Sequence, residues 1–276
     1  MALIDSLTDD GWAESDLELL VYTLLVKNDE TLMLNAALRS APDRLARNEE
    51  IIRAVQAVKG KGYGFSGHGI SRLIDGRFDD AQKADIVTLM HRFSCQLRDA
   101  LDIQSFITSG TLLGMFREGR FLPHDDDFDM AYVSNFTDKS EIVAERARLF
   151  DAVSGFENFT IREETGGRAT IRVTGDSVRF NFDLFTAFRN GAYFNECPLK
   201  PDTAFFDDIM PVKTAKLYGQ DIFVPQNPEK LLEVNYGSGW KTPDPSFRFW
   251  FDKHRKYYDF LFEPVRAAKK AETGKL

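Results

Sequence analysis

The stretch SGTLLGMFREGRFLPHDDDFDMAY, Ser109 to Tyr132, sets a turn of small residues ahead of the aspartates Asp125, Asp126, Asp127 and Asp129, the last of them inside an apolar run. It reads as a turn, a brief helix, a loop and a strand over FDMAYV, with QSFIT just upstream as another short strand. Side chains alternate along a strand, so Asp127 and Asp129 point to one side while Phe128 and Met130 point to the other. Two carboxylates side by side repel unless a cation lies between them. The pattern therefore points to a hard divalent metal, Mg²⁺ or Mn²⁺, bound through oxygen and completed by substrate phosphates. A charge run usually means a solvated acidic turn, but here the alternation with large apolar residues ties the acids to a buried strand. A helix-loop-helix calcium loop does not fit. Counted from Asp125, its sixth position would be Met130 where Gly is needed, and its twelfth Phe136 where Glu is needed.

The segment VRFNFDLF supplies a third acid. Val178, Phe180, Phe182 and Leu184 fall on one face, and Arg179, Asn181 and Asp183 on the other. Asp183 in so apolar a strand needs a partner, and a metal shared with Asp127 and Asp129 would offset the cost of burying it. The alternative is a sheet with one solvent-facing side. Upstream, Gly110 and Thr111 lie at a strand-to-helix turn, where free backbone N–H groups and the positive helix end suit a phosphate, with the hydroxyls of Ser109 and Thr111 as additional donors. The same turn also fits ordinary capping. Arg117 and Arg120 are expected on a loop folded over the site, as clamps for a diphosphate or as rim residues paired to Glu118 or Asp126. Arg168 and Arg172 share one strand face and pose the same question.

The chain has 276 residues, a net charge of −8 and 43% hydrophobic residues, the make-up of an ordinary globular protein of one or two domains. That charge argues against broad nucleic-acid binding, which needs clustered Lys and Arg. Any phosphate bound should belong to one small ligand. No leader-like start and no apolar run of spanning length is read, so neither an export signal nor a transmembrane segment is expected, and a cytoplasmic location is. Cys95 and Cys197 have no metal-ligand spacing and no reason to pair.

Apolar residues recur at helical spacing in Leu17, Leu20 and Leu24 and in Ile51, Ile52, Val55 and Val58. Residues 1–75 thus read as a helical section ending in a flexible glycine-rich connector, KGKGYGFSGHGI. Asp79 or Asp80 caps a helix with the stripe Ile86, Leu89, Met90, Phe93 and Leu97, and a second helix follows a Thr137 or Asp138 cap. From Phe159 the period changes to two. AKLYGQDIFV reads as a hairpin turning at Gly219-Gln220, and Asn227-Pro228 opens a helix to Tyr236. The stripe Phe247, Trp250, Phe251, His254, Tyr257, Tyr258 and Leu261, mostly aromatic, reads as core packing on a C-terminal helix. Residues 76–265 form the expected catalytic domain, and 266–276 a flexible tail.

This order of turn, helix, acid-apolar-acid strand and later third acid resembles the nucleotidyltransferase superfamily, and within it the LicD family that includes fukutin and fukutin-related protein. The matching residues are Gly110-Thr111-Leu112-Leu113-Gly114, Arg117, Phe121-Leu122-Pro123, and Asp125, Asp127 and Asp129. A second block carries Pro211, Pro225, Tyr236, Gly237, Trp240 and Pro243. The resemblance implies an α/β (α+β) fold with a mixed sheet flanked by helices. It also implies transfer of a phospho-alcohol (phosphocholine, phosphoethanolamine or a polyol phosphate) from a CDP-linked donor to a sugar hydroxyl of a cell-surface glycan or glycolipid, with peripheral membrane contact. Asp127 and Asp129 would hold the metal, Asp183 would be a third ligand or the base, and Asp125 would accept the acceptor's proton. Ser109, Gly110, Thr111, Gly114, Arg117, Arg120, Tyr236, Gly237 and Trp240 would line the substrate. The cysteines do not reproduce the structural zinc site of the animal relatives, and the first hundred residues have no counterpart. A metal-dependent glycosyltransferase, nucleotidyl transfer from an NTP, and a non-catalytic acidic binding module are the alternatives.

Overall fold

The computed structural model describes residues 34, 38, 41–66, 69–125, 127–245, 247 and 251–273. Leu17, Leu20, Leu24, Asp126 and Trp250 lie outside the described residues. The chain divides into two compact units, one of residues 1–77 and 242–248, the other of residues 78–241 and 249–276.

In the first unit, helix α1 (Arg44–Lys59) starts at Asp43, whose carboxylate accepts from Leu45 N and Ala46 N at 3.1 Å each. Its apolar face packs Ile51, Ala54 and Val55 with Leu34, Leu38 and Phe65. Phe65 belongs to an antiparallel hairpin of β1 (Tyr63–Ser66) and β2 (Gly69–Arg72). The glycine-rich stretch is thus largely a hairpin, where a flexible connector is expected from its composition. Glycine density is explained at Gly64, where a Cβ would fall 2.4 Å from a Leu73 methyl.

The second unit opens with α2 (Asp80–Leu101), started by a capping box in which Asp79 accepts from Gln82 N at 2.8 Å and Gln82 accepts from Asp79 N at 3.0 Å. Such a cap is worth about 1 kcal/mol. Strand β3 (Gln104–Ile107), helix α3 (Ser109–Glu118) and strand β4 (Phe128–Val133) follow, then α4 (Lys139–Val153) behind an Asp138 cap. Next come β5 (Phe159–Glu164), β6 (Arg168–Thr174), β7 (Arg179–Asn190), β8 (Tyr193–Glu196) and β9 (Ala204–Phe205). These strands form one seven-stranded sheet, ordered β3-β4-β7-β6-β5, with β8 and β9 continuing from the far end of β7. Only β4 and β7 pair in parallel, which makes the sheet mixed.

Phe93 of α2 lies 4.9 Å from Phe182 and 5.1 Å from Phe159, ring centre to ring centre, so the helix stripe seals one sheet face. Each such side chain contributes roughly 2–3 kcal/mol by leaving water. The short helix α5 (Phe206–Ile209) leads to a hairpin of β10 (Lys213–Leu217) and β11 (Gln220–Val224), and then to α6 (Pro228–Tyr236). Leu217 pairs with Gln220, so the turn is Tyr218-Gly219 and not Gly219-Gln220. Both turn residues have positive φ, 48° and 77°, the geometry of a type I′ turn matched to strand twist. The chain closes with α7 (Phe251–His254) and α8 (Asp259–Thr273). Tyr258 and Leu261 are buried with Ile142, Phe188 and Cys197, as an aromatic core stripe requires. Helix α8 includes residues 266–273, where the lysine-rich composition suggests a flexible tail. Cys95 and Cys197 are free thiols, and no helix among the described residues is long and apolar enough to cross a membrane.

Candidate active site

Parallel pairing of β4 with β7 sets Asp129 directly opposite Asp183. These positions are distant in sequence and meet only through the sheet. The Asp129 carboxylate accepts from Gly110 N at 2.9 Å, while its own backbone N–H donates to Thr111 Oγ1 at 2.8 Å. The turn at the start of α3 therefore holds a carboxylate. Its Gly110 N–H is not free for a phosphate, as the sequence reading expects, because Asp129 already occupies the positive end of the helix. A Cβ at Gly110 would lie 2.8 and 3.1 Å from the Asp125 carboxylate oxygens and 3.3 Å from Asp129 Oδ2, so Asp125 and Asp129 meet over this glycine. Ser109 is buried with φ of 44°, a left-handed residue that turns the chain into the helix.

Burial raises the Asp129 carboxyl well above the usual carboxylate range, and the charges of Asp127, Asp125 and Asp183 raise it further against the opposing pull of Gly110 N–H. Asp183 is 4% exposed. Its Oδ2 accepts from Arg168 Nη1 at 2.6 Å and its Oδ1 from Thr170 Oγ1 at 2.7 Å. Burial still wins over both partners and lifts this carboxyl as well. Four acids thus crowd one region, and their mutual repulsion seeks a cation.

Among the described residues, no three His, Cys, Asp or Glu side chains converge to enclose a metal by themselves. The expected trio of Asp127, Asp129 and Asp183 is not assembled as a closed cage, because Arg168 and Thr170 engage Asp183. A Mg²⁺-type ion needs only one or two carboxylates, with water and phosphate supplying the rest. The acids fit that kind of site, in which Asp127 and Asp129 would be the ligands.

Arg117 belongs to the last turn of α3 and not to a loop, and its Nη2 lies 3.0 Å from Glu118 Oε1. Arg120, on the loop, has Nε 3.7 Å from Glu118 Oε2. Gly114 lets this loop approach, since a Cβ there would meet Arg120 O at 2.6 Å and Leu122 N at 2.8 Å. Tyr218 Oη accepts from Phe121 N at 3.1 Å and ties the loop to the β10-β11 hairpin. Tyr236 ends α6 within the field of Asp129, Asp125 and Glu196, and desolvation followed by these charges pushes its hydroxyl far up. Gly237 stops the helix at φ of 82°. Trp240 is buried at 7% exposure with Lys241 Nζ 5.2 Å above its ring, and its described contacts do not join it to the acids.

Glu196 escapes the sequence reading. It is 3% exposed and accepts from Thr108 Oγ1 at 2.9 and 3.0 Å through its two carboxyl oxygens. Burial pushes its carboxyl up to about 8. Thr108 is the N-cap residue of α3 and donates its N–H to Asp129 O at 3.1 Å, so Glu196 buttresses the turn that carries Asp129. In YFNE the acid follows Phe194 on the same strand face, a weak signal in a strand half of whose residues are polar.

Residues 102–227 match the family LicD/FKTN/FKRP, nucleotidyltransferase domain. These residues are a LicD-family domain. The matched residues lie in the mixed sheet flanked by helices, and the family is of phosphotransferase/nucleotidyltransferase type. An uncharacterized protein of Caenorhabditis elegans is 24% identical over 176 residues, which cover 56% of this chain and 43% of that protein. The chain thus spans under half the length of that relative. Among solved structures, Cid1, an RNA terminal uridylyl transferase, is 12% identical with a TM-score of 0.28, over 39% of this chain and 30% of its own. The CdnC:HORMA complex of E. coli is 16% identical with a TM-score of 0.30, over 54% of this chain and 42% of that one.

Proposed function

We propose that the LicD domain is a divalent-metal-dependent phosphotransferase. It moves a phospho-alcohol (phosphocholine, phosphoethanolamine or a polyol phosphate) from a CDP-linked donor to a sugar hydroxyl of a glycan or glycolipid. The observation that carries the reading is the side-by-side placement of Asp129 and Asp183, with the charges of Asp125 and Asp127 reaching the same buried carboxyl. A cation bound by Asp127 and Asp129 would neutralise the diphosphate. The acceptor oxygen forms a bond to phosphorus, the bond from phosphorus to the CMP oxygen breaks, and CMP leaves with the electron pair. Asp125, beside Gly110 at the mouth of the turn, takes the acceptor's proton. Gly110 and Thr111 fix Asp129, and Glu196 fixes the turn through Thr108. Catalysis of this kind relies on positioning and electrostatics more than on covalent chemistry from the protein.

The test is a thermal-shift screen with Mg²⁺ or Mn²⁺ and CDP-choline, CDP-ethanolamine, CDP-glycerol, CDP-ribitol, UDP-sugars and NTPs, followed by CMP release with the hit. Metal-dependent stabilisation by one CDP-alcohol, lost in Asp127→Asn, is the expected result. Stabilisation by nucleotide sugars alone means glycosyl transfer, and pyrophosphate release from an NTP means nucleotidyl transfer. Either outcome, or silence from every ligand, defeats the proposal.

A further inference from the structure

Asp183 faces Asp129 across β4 and β7, yet it has a cation of its own. Arg168 Nη1 is 2.6 Å from Asp183 Oδ2, and the two side chains are 39% and 6% exposed. The acid is sealed while the guanidinium keeps one side open to solvent. The backbone of Arg168 is anchored independently of that contact, because its carbonyl accepts from Thr165 N at 2.9 Å and from Arg146 Nη2 at 3.2 Å. Arg168 can therefore swing its side chain without moving the strand. Thr170 Oγ1 stays on the other oxygen of Asp183 at 2.7 Å, so release of Arg168 frees Oδ2 alone. The freed oxygen belongs to the residue paired with Asp129 across the two strands.

We propose that Arg168 is a built-in counter-ion that competes with the divalent cation for Asp183 and, once displaced by it, turns to bind the donor's diphosphate. A guanidinium and a divalent cation both neutralise the buried acid, and two positive groups crowded on Oδ2 repel each other, so they compete for it. Displaced into the half-open space above Asp183, the guanidinium offers two parallel N–H donors, the geometry that matches phosphate oxygens. The cation would then do more than hold its own share of the diphosphate, since its arrival would also supply a second positive group.

This inference rests on the metal-dependent reading above, and its test uses no turnover and no donor alcohol. Mn²⁺ affinity is measured by calorimetry on the wild-type chain and on Arg168→Met, followed by CDP affinity at saturating Mn²⁺. Arg168→Met should bind Mn²⁺ at least threefold more tightly and CDP at least tenfold more weakly. Loss of a nearby positive charge tightens metal binding by itself, so it is the joint result, tighter Mn²⁺ with weaker CDP, that separates the proposed role from a merely structural one. Equal or weaker Mn²⁺ affinity, or unchanged CDP affinity, overturns the inference. Because the variant leaves a buried acid without its partner and could unfold, the wild-type chain is also treated with phenylglyoxal, and modification of Arg168 is followed by peptide mass spectrometry. Modification should speed up when Mg²⁺ is added, and an unchanged rate counts against the proposal as firmly. Wild-type protein that binds no Mn²⁺ at all defeats the metal reading of the site and this inference with it.

Discussion

Glu196 offers a quantitative test of how the site is built. Its carboxyl titrates near 8 in the folded chain against an ordinary 4.5, and burial is the cause. Because the folded value is raised, the native state binds the proton more tightly than the unfolded chain does. Its contribution to stability is fully present below 4.5 and is lost as pH rises through 8. At about 1.36 kcal/mol per pH unit of difference, the whole loss is about 5 kcal/mol, large against a typical domain stability of about 5–15 kcal/mol. The residue is 3% exposed, so solvent screening removes little of this. In Glu196→Gln the proton disappears from the balance, while the amide oxygen still accepts from Thr108. Urea unfolding of both proteins at pH values from 5.5 to 8.5, without metal, should show the variant gaining on the wild type by about 3–4 kcal/mol across the range. A difference that stays flat to within about 1 kcal/mol, or a variant that loses ground at high pH, would refute the assignment of Glu196 as a carboxylic acid held neutral by burial.

Asp129→Asn should raise the metal-free midpoint at pH 8 by roughly 3 °C or more, because the raised carboxyl costs the native state stability above its unfolded value. The same variant should lose the stabilisation by Mg²⁺, and calorimetric scans with and without the ion check both. Gly114→Ala should cost roughly 1–3 kcal/mol in denaturant unfolding, since the methyl meets backbone atoms of Arg120 and Leu122 that cannot step aside. Gly110→Ala should change stability by less than about 1 kcal/mol, because a helix gains from Ala, while weakening Mn²⁺ binding about tenfold or more. The methyl would press on the Asp125 and Asp129 carboxylates, and an affinity equal to wild type would show that these oxygens are not ligand-facing.

The order of elements from Asp79 to Tyr236 was legible because amphipathic spacing and capping residues are local signals. The helix stripe ending at Leu97 and the acid-apolar alternation at Asp127-Phe128-Asp129 both appear in a short window. What the windows do not carry is pairing. Nothing near Asp129 or Asp183 in the sequence says that their strands run parallel and in register, although the two acids could be suspected of sharing a partner. Nor does the sequence show that Arg168 already sits on Asp183, or that Asp129 takes the Gly110 N–H ahead of any phosphate. Both are competitions for one hydrogen-bonding group, settled only when the strands are laid side by side. Glu196 was missed for a simpler reason, since a single acid at the end of a short strand looks like a surface residue until its burial is known. In the glycine-rich hairpin, glycine density argues for freedom, whereas Gly64 is there to let Leu73 close in.

The parallel pairing of β4 with β7 also sets when the acids can act together during synthesis. A nascent chain that has emerged only as far as Val133 carries Asp125, Asp127 and Asp129 but lacks the strand that holds their partner. Until β7 has emerged through Asp183 and docked beside β4, the acids of the ribosome-bound chain lack the strand register that sets Asp129 opposite Asp183. On the proposed reading, chemistry on an activated donor would thereby wait until the sheet is nearly whole.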